Sequence, residues 1–145
     1  MHRLAIRPYL EIAGQPSHED LVAIRDEGFT AVVNLRRPDE PDQPIDPSTE
    51  GSQVHALGMD YLSVPIGGEP LGESQVKAVC AFLDQHTGGK VLLHCKQGGR
   101  AAAIALIHLA QAEQWPEDEV IDRAAAIGVP LPPPLRAMIE SYFAR

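Results

Sequence analysis

The reactive side chains concentrate in one stretch, Val91-Leu92-Leu93-His94-Cys95-Lys96-Gln97-Gly98-Gly99-Arg100-Ala101-Ala102-Ala103. A short apolar run ends in His94, a loop with two glycines follows, and a run of Ala, Ile and Leu begins at Ala101. Strand, glycine turn and helix is the geometry that aims backbone N–H groups at an anion. Cys95 heads that loop, where converging N–H dipoles favour a thiolate. Gly98 and Gly99 accept positive φ, which lets successive N–H groups turn inward. Arg100 offers a planar fork matched to two oxygens of a phosphoryl group. Lys96 adds a point charge at the rim. Together with Gln97, Gly98, Gly99, Ala101 and, from the Arg36-Arg37 pair, Arg36, it makes up the candidate substrate-binding set. The chemistry that fits is attack by sulfur on a phosphoryl centre, with charge on the equatorial oxygens met by these donors.

Elements on either side must hold this loop in place. Tyr9 to Ala13 alternates and stops at Gly14-Gln15-Pro16, which predicts a strand. Ser17 opens a helix with Asp20 placed as in a capping box; Leu21, Ile24 and Arg25 set its inner edge and Gly28 ends it. Phe29 to Leu35 is nearly continuous and apolar, the pattern of a strand covered on both faces. Residues 36–53 change character. Arg36-Arg37 leads into four prolines interleaved with Asp39, Glu40, Asp42, Asp46 and Glu50, so the reading there is a loop or lid. A short helix is expected from about Ser48 to Leu57, then a strand over Met59–Ile66. Val76, Val79, Cys80 and Leu83 fall at helical spacing within an expected helix from Ser74 to His86. Helices are also predicted after Trp115-Pro116 and from about Pro134 to Phe143, with the prolines at 130–134 as the turn between them.

Alternating strands and helices predict a single three-layer α/β domain over residues 1–145, with a mostly parallel four- to five-stranded sheet flanked by helices. Ligands of such sheets sit beyond the carboxyl ends of the strands. Four segments should therefore meet: Gly14-Gln15-Pro16, Arg36-Arg37, Pro65 to Glu69, and Cys95 to Arg100. Net charge is −8 over 145 residues, which disfavours nucleic acid or an anionic membrane surface as partner. Two cysteines argue for a reducing compartment rather than a disulfide scaffold. The first residues lack the apolar core of a signal peptide, and no run approaches the roughly 20 residues of a membrane helix. The expectation is a cytoplasmic protein. No histidine spacing suits a metal, and no cofactor is implied.

His-Cys-x-x-x-x-Arg resembles the signature of cysteine-dependent protein phosphatases, one residue shorter than their usual spacing. With Ala13-Gly14-Gln15-Pro16-Ser17, Val33-Asn34-Leu35-Arg36 and Tyr61-Leu62-Ser63-Val64-Pro65, it is similar to the bacterial tyrosine/dual-specificity-like phosphatases related to β-lactamase hydrolase-like proteins. The resemblance spans about residues 10–112. It implies a cysteine-phosphatase-like fold and a phosphorylated protein or small molecule as substrate. By the same resemblance Cys95 is the nucleophile forming a phosphocysteine, and Arg100 is the phosphate clamp. His94 supports the loop and the thiolate, with Arg36 nearby.

Two positions depart from that pattern. Ala101 stands where the family usually places Ser or Thr, and Gly67-Gly68 where a general-acid Asp is common. Glu69, Glu73, Asp39, Glu40 and Asp42 remain candidates for the acid, as does none of them. The same Cys-x-x-x-x-Arg spacing occurs in rhodanese-like sulfurtransferases, and a phosphate-binding module with little turnover is a third reading. Cys80 reads as a core residue, with a redox partnership to Cys95 as the alternative; His108 reads as packed.

Overall fold

The computed structural model describes residues 1–67 and 70–144. Five strands form one sheet: β1 (Arg3–Arg7), β2 (Leu10–Ala13), β3 (Phe29–Asn34), β4 (Asp60–Ser63) and β5 (Lys90–His94). The spatial order is β1-β2-β5-β3-β4. β1 runs antiparallel to β2, and the other neighbours are parallel. Among the described residues six helices accompany it: α1 (His18–Asp26), α2 (Pro47–Ala56), α3 (Glu73–Asp84), α4 (Gly99–Glu113), α5 (Glu117–Ala126) and α6 (Pro133–Phe143).

The alternation of side chains along each strand divides the core in two. Ala31 and Val33 of β3, with Val91 and Leu93 of β5, face a cluster built with α3, α4, α5 and α6. Val32 and Leu92 face the other way, against Leu21 and Ile24 of α1 and Val54 of α2, and Phe29 joins them across the register shift between Phe29 and Ala31. Both faces are covered, which is why β3 and β5 read as continuous apolar runs. α4 is buried along nearly its whole length, from Ala101 to Ala110 with His108 partly exposed. Its Ile104, Leu106, Ile107 and Leu109 each contribute roughly 1.5–3 kcal/mol by burial alone. A helix this deep cannot shift without opening the core, so its first turn is a rigid support for whatever it binds.

Local signals held in detail. Ser17 Oγ accepts from the Asp20 N–H at 3.0 Å and the Asp20 carboxylate accepts from the Ser17 N–H at 2.9 Å, the expected reciprocal cap. Three readings change. Residues 3–7 form an edge strand that the exposed, charged sequence Arg3-Leu4-Ala5-Ile6-Arg7 did not announce, because its pairing with β2 rather than its own pattern makes it a strand. Arg25 is exposed and pairs with Asp26 instead of lining the inner edge of α1. The fourth strand is shorter than 59–66; beyond Ser63 the chain stays near β3 through single bonds from Val64 N to Asn34 O and Ile66 N to Leu35 O.

Candidate active site

β5 lies between β2 and β3, so the segment leaving its carboxyl end is bracketed by the segments leaving theirs. Cys95 N–H donates to Ala13 O, Gln15 N–H to Lys96 O at 3.0 Å, and Leu35 N–H to His94 O at 2.9 Å. Gly14 makes the approach from β2 feasible, since a Cβ there would stand 3.0 Å from the Lys96 carbonyl oxygen. Gly98 takes φ of 103°, turning the chain into α4 at Gly99. Its N–H points back into the loop and donates to Cys95 Sγ at 3.1 Å. Cys95 itself is buried, at the floor of the loop, while Lys96 and Gln97 stand exposed at the rim. Ala101 is fully buried in the first turn of α4.

Arg100 reaches over this floor. Its Nη1 donates to Glu40 Oε2 at 2.6 Å and to Ile66 O at 2.9 Å, and its Nη2 donates to Glu40 Oε1 at 3.0 Å. Of five guanidinium N–H groups, these contacts leave Nε–H and one Nη2–H, a second parallel fork. Glu40 raises the affinity of Arg100 for its proton, and the Cys95 sulfur adds charge and hydrogen-bonding interactions in the same direction. Glu40 thus holds one edge of the guanidinium, and an edge remains beside the sulfur.

Glu40 sits at a junction of cations. Arg36 Nε donates to its Oε1 at 3.0 Å and the Arg37 N–H to its Oε2 at 2.7 Å. Burial works against its charge. The Arg100 guanidinium, the Arg37 amide and Arg36 outweigh that and hold the carboxyl near a pKa of about 2, against an ordinary 4.5. A group so acidic cannot carry a proton to a leaving group at neutral pH, which removes Glu40 as a general acid. Its folded pKa is depressed, so its contribution to stability is complete above about pH 4.5 and is lost as pH falls through 2. Glu40→Gln is therefore expected to melt several degrees below the parent at pH 7, with that gap closing between pH 4.5 and 2 in thermal melts.

The remaining acid candidates lie outside this junction. Asp39 is exposed and pairs with Arg37, Glu73 is exposed and pairs with Lys77, and Asp42 is exposed with a φ of 59°. Glu69 lies outside the described residues. Cys80 bonds Gln111 near the far end of α4. Eleven residues of helix, at about 1.5 Å each, separate Gln111 from Arg100, so Cys80 is too far for a disulfide with Cys95. Burial pushes its thiol up to about 11, as expected of a packed cysteine. His108 is half-buried, and burial lowers its pKa.

Two side chains enter the site that the sequence reading did not assign. Gln15 Oε1 accepts from Arg36 Nη1 at 3.0 Å, and Gln15 Nε2 donates to Glu50 Oε1 at 2.7 Å. Glu50 Oε2 in turn lies 2.7 Å from His94 Nε2, with both side chains buried. A continuous chain therefore links His94, Glu50, Gln15, Arg36, Glu40 and Arg100, from the head of the loop to its foot. The signal for Glu50 was helical spacing: it shares the inner face of α2 with Pro47 and Val54, where a carboxylate needs a partner.

The model of the beta-lactamase hydrolase-like protein, phosphatase-like domain, matches residues 3–114. The chain belongs to this phosphatase-like domain family. Among relatives, the beta-lactamase hydrolase-like protein of Agrobacterium fabrum is 35% identical over 109 residues, covering 74% of this chain and 25% of that protein. The Xylella fastidiosa protein of the same description is 34% identical over 103 residues, covering 70% and 23%. The chain thus spans about a quarter of the length of these relatives. Mouse dual specificity protein phosphatase 2 is 28% identical over 123 residues, covering 81% of this chain and 35% of its own. A crystal structure from Shewanella putrefaciens CN-32, of a protein named as a candidate phosphatase, superposes with a TM-score of 0.80 at 26% identity, covering 98% and 91% of the two chains. Tk-PTP in its active form superposes at 0.81 with 18% identity over 99% and 97%, a likeness of fold. The phosphatase-like domain is therefore a cysteine-phosphatase fold, related to dual-specificity phosphatases. The matched region ends within the turn that follows α4, so α5 and α6 lie beyond it. Among the described residues no helix is long and apolar enough to cross a membrane.

Proposed function

We propose that this domain hydrolyses phosphomonoesters through a cysteinyl-phosphate. The observation that carries the reading is the Gly98 N–H donating to Cys95 Sγ at 3.1 Å, in a loop that opens α4 and lies under the Arg100 guanidinium. Cys95 sulfur, as thiolate, attacks phosphorus in line with the ester oxygen, the S–P bond forms as the P–O bond breaks, and the leaving oxygen departs with the bonding pair and takes a proton from solvent water. Water then attacks phosphorus, releasing phosphate and the thiolate. Backbone N–H groups of residues 96–100 and the second fork of Arg100 would meet the three equatorial oxygens in both steps. Lys96 and Gln97 would contact the substrate at the rim.

Phosphate fits better than sulfane sulfur, because Arg100 is fixed in a planar, bidentate orientation suited to two oxygens. Among the described residues protonation of the leaving alcohol has no dedicated donor: Glu40 is engaged, Asp39 and Glu73 are exposed and paired with Arg37 and Lys77, and Asp42 is exposed. General acid catalysis supplies roughly 10²–10⁴-fold, so esters of acidic alcohols such as nitrophenol should turn over far faster than alkyl phosphates. The test is a panel of aryl phosphate, alkyl phosphate, phosphopeptides and thiosulfate with cyanide. Vanadate-sensitive hydrolysis of the aryl ester is the expected result. Sulfur transfer without such hydrolysis would replace this reading with a sulfurtransferase, and vanadate binding without turnover would leave a phosphate-binding module.

A further inference from the structure

The buried polar and charged side chains of the core, Asn34, Arg36, Glu50 and His94, belong to one cluster behind the cysteine loop. Glu50 is the anion within it. Its partners are His94 Nε2 and Gln15 Nε2, both at 2.7 Å, and it also interacts with the Tyr61 hydroxyl, whose ionisation burial and the Glu50 charge both oppose. The other ring nitrogen, His94 Nδ1, lies 3.2 Å from the Cys95 carbonyl oxygen. A carbonyl only accepts, and so does an ionised carboxylate. Both ring nitrogens thus lie against oxygen: one against the backbone carbonyl of Cys95, one against the Glu50 carboxyl group.

Glu50 is held there by its helix. Asp46 caps α2 by accepting from the Thr49 N–H at 2.7 Å, with Pro47 at the first position. Gly51 lets α2 press against β4, since a Cβ there would stand 2.8 Å from the Tyr61 ring. The carboxylate cannot swing to solvent without lifting the helix. A buried ion pair is a weak device for stability, because desolvation offsets its attraction. Its place, one residue from the nucleophile, points to another use.

We propose that Glu50 is a positioning residue for the nucleophile, its carboxylate holding His94 with both ring nitrogens donating. That arrangement fixes the Cys95 carbonyl and sets a positive ring behind the sulfur. The proposal rests on the reading of Cys95 as nucleophile but not on phosphoryl transfer. The groups facing His94 and Glu50 are Cys95 on the loop, Gln15 after β2, Asn34 and Arg36 at the end of β3, and Tyr61 on β4; of these only Arg36 carries a fixed charge.

The experiment compares the full chain with Glu50→Gln, which keeps the shape and removes the charge, and with Glu50→Asp, which restores the charge one methylene back. Three quantities are read: the alkylation rate of Cys95 by iodoacetamide at pH 7, followed by peptide mass spectrometry to separate it from Cys80; kcat and KM for an aryl phosphate; and the ¹⁵N resonances of the His94 ring. Glu50→Gln should slow alkylation about fivefold or more and kcat about tenfold or more, with KM within about twofold, as for other residues that orient a catalytic side chain. Glu50→Asp should recover a substantial part of both. The wild-type His94 ring should show two protonated nitrogens. A folded Glu50→Gln with parental alkylation and kcat overturns the proposal, as does a neutral His94 ring at pH 7, which can be read on wild type even where the variant fails to fold. If wild type lacks hydrolysis while alkylation still depends on Glu50, the phosphatase reading fails and the positioning role stands.

Discussion

Cys95→Ser should abolish hydrolysis of an aryl phosphate while leaving phosphate or vanadate bound. Oxygen in place of sulfur at this position is a far weaker nucleophile, because a hydroxyl ionises far less readily than a thiol. The drop in kcat is expected at roughly 10⁴-fold or more, the scale on which deleting a nucleophile acts in covalent enzymes. Binding should survive because the cradle is not made by the sulfur. The loop is tied to β2 and β3 through Ala13 O, the Gln15 N–H and the Leu35 N–H, Gly98 keeps its positive φ, and Arg100 remains clamped by Glu40 and Ile66 O. A hydroxyl also accepts the Gly98 N–H that Sγ now accepts. Steady-state assays with equilibrium vanadate binding on the same preparation decide the matter. Residual turnover above about one part in a hundred would mean that water attacks phosphorus directly and that Cys95 only shapes the cradle.

Arg100→Lys should cost about 10²–10³-fold in kcat/KM, with kcat carrying most of it, although formal charge is conserved. The present guanidinium uses one edge for Glu40 and Ile66 O and keeps a second, coplanar edge for the substrate. An ammonium is a point charge. It can satisfy Glu40 or a phosphoryl oxygen, but it cannot present two parallel N–H groups to each at once. Losing the fork also removes half of the attachment that holds Glu40 and, through it, Arg36. The loss should therefore appear in a transition state whose equatorial oxygens need simultaneous donors, more than in ground-state binding of the ester. A change of under about fivefold would place charge development elsewhere than on this arginine.

The effect at Arg100 and the smaller one expected at Glu40 follow from neighbouring links of one chain of side chains, and they should not add. Arg100, Glu40 and Arg36 share partners directly, so combined substitutions there should fall short of the summed losses. Glu50 lies two links from Arg36, through Gln15. Its effect should be closer to independent of Arg100 and tied to Cys95.

Local order was written plainly in the sequence. The run ending in His94, the two glycines and the apolar helix after Arg100 announced a strand, turn and helix with Cys95 between them, since backbone conformation over a few residues depends mainly on those residues. The Ser17 and Asp20 cap and the two-sided burial of β3 were legible for the same reason. β1 was not, because an exposed edge strand owes its form to the strand beside it.

What the sequence by itself determined is the cysteine loop: Cys95 at the end of a strand, Gly98 at the turn with its positive φ, and Arg100 in the first turn of the helix that follows. What only the tertiary structure decided is what stands behind that loop. Placing β5 between β2 and β3 brings Gln15 and Arg36 to its two sides, and docking α2 through Gly51 delivers Glu50 to His94 from 44 residues away. Spacing along a chain carries no record of such meetings, because they are fixed by strand order and helix packing. For the same reason Glu40, which reads in sequence as one more acid of a proline-rich loop, proves to be the clamp on Arg100 and no proton donor at all.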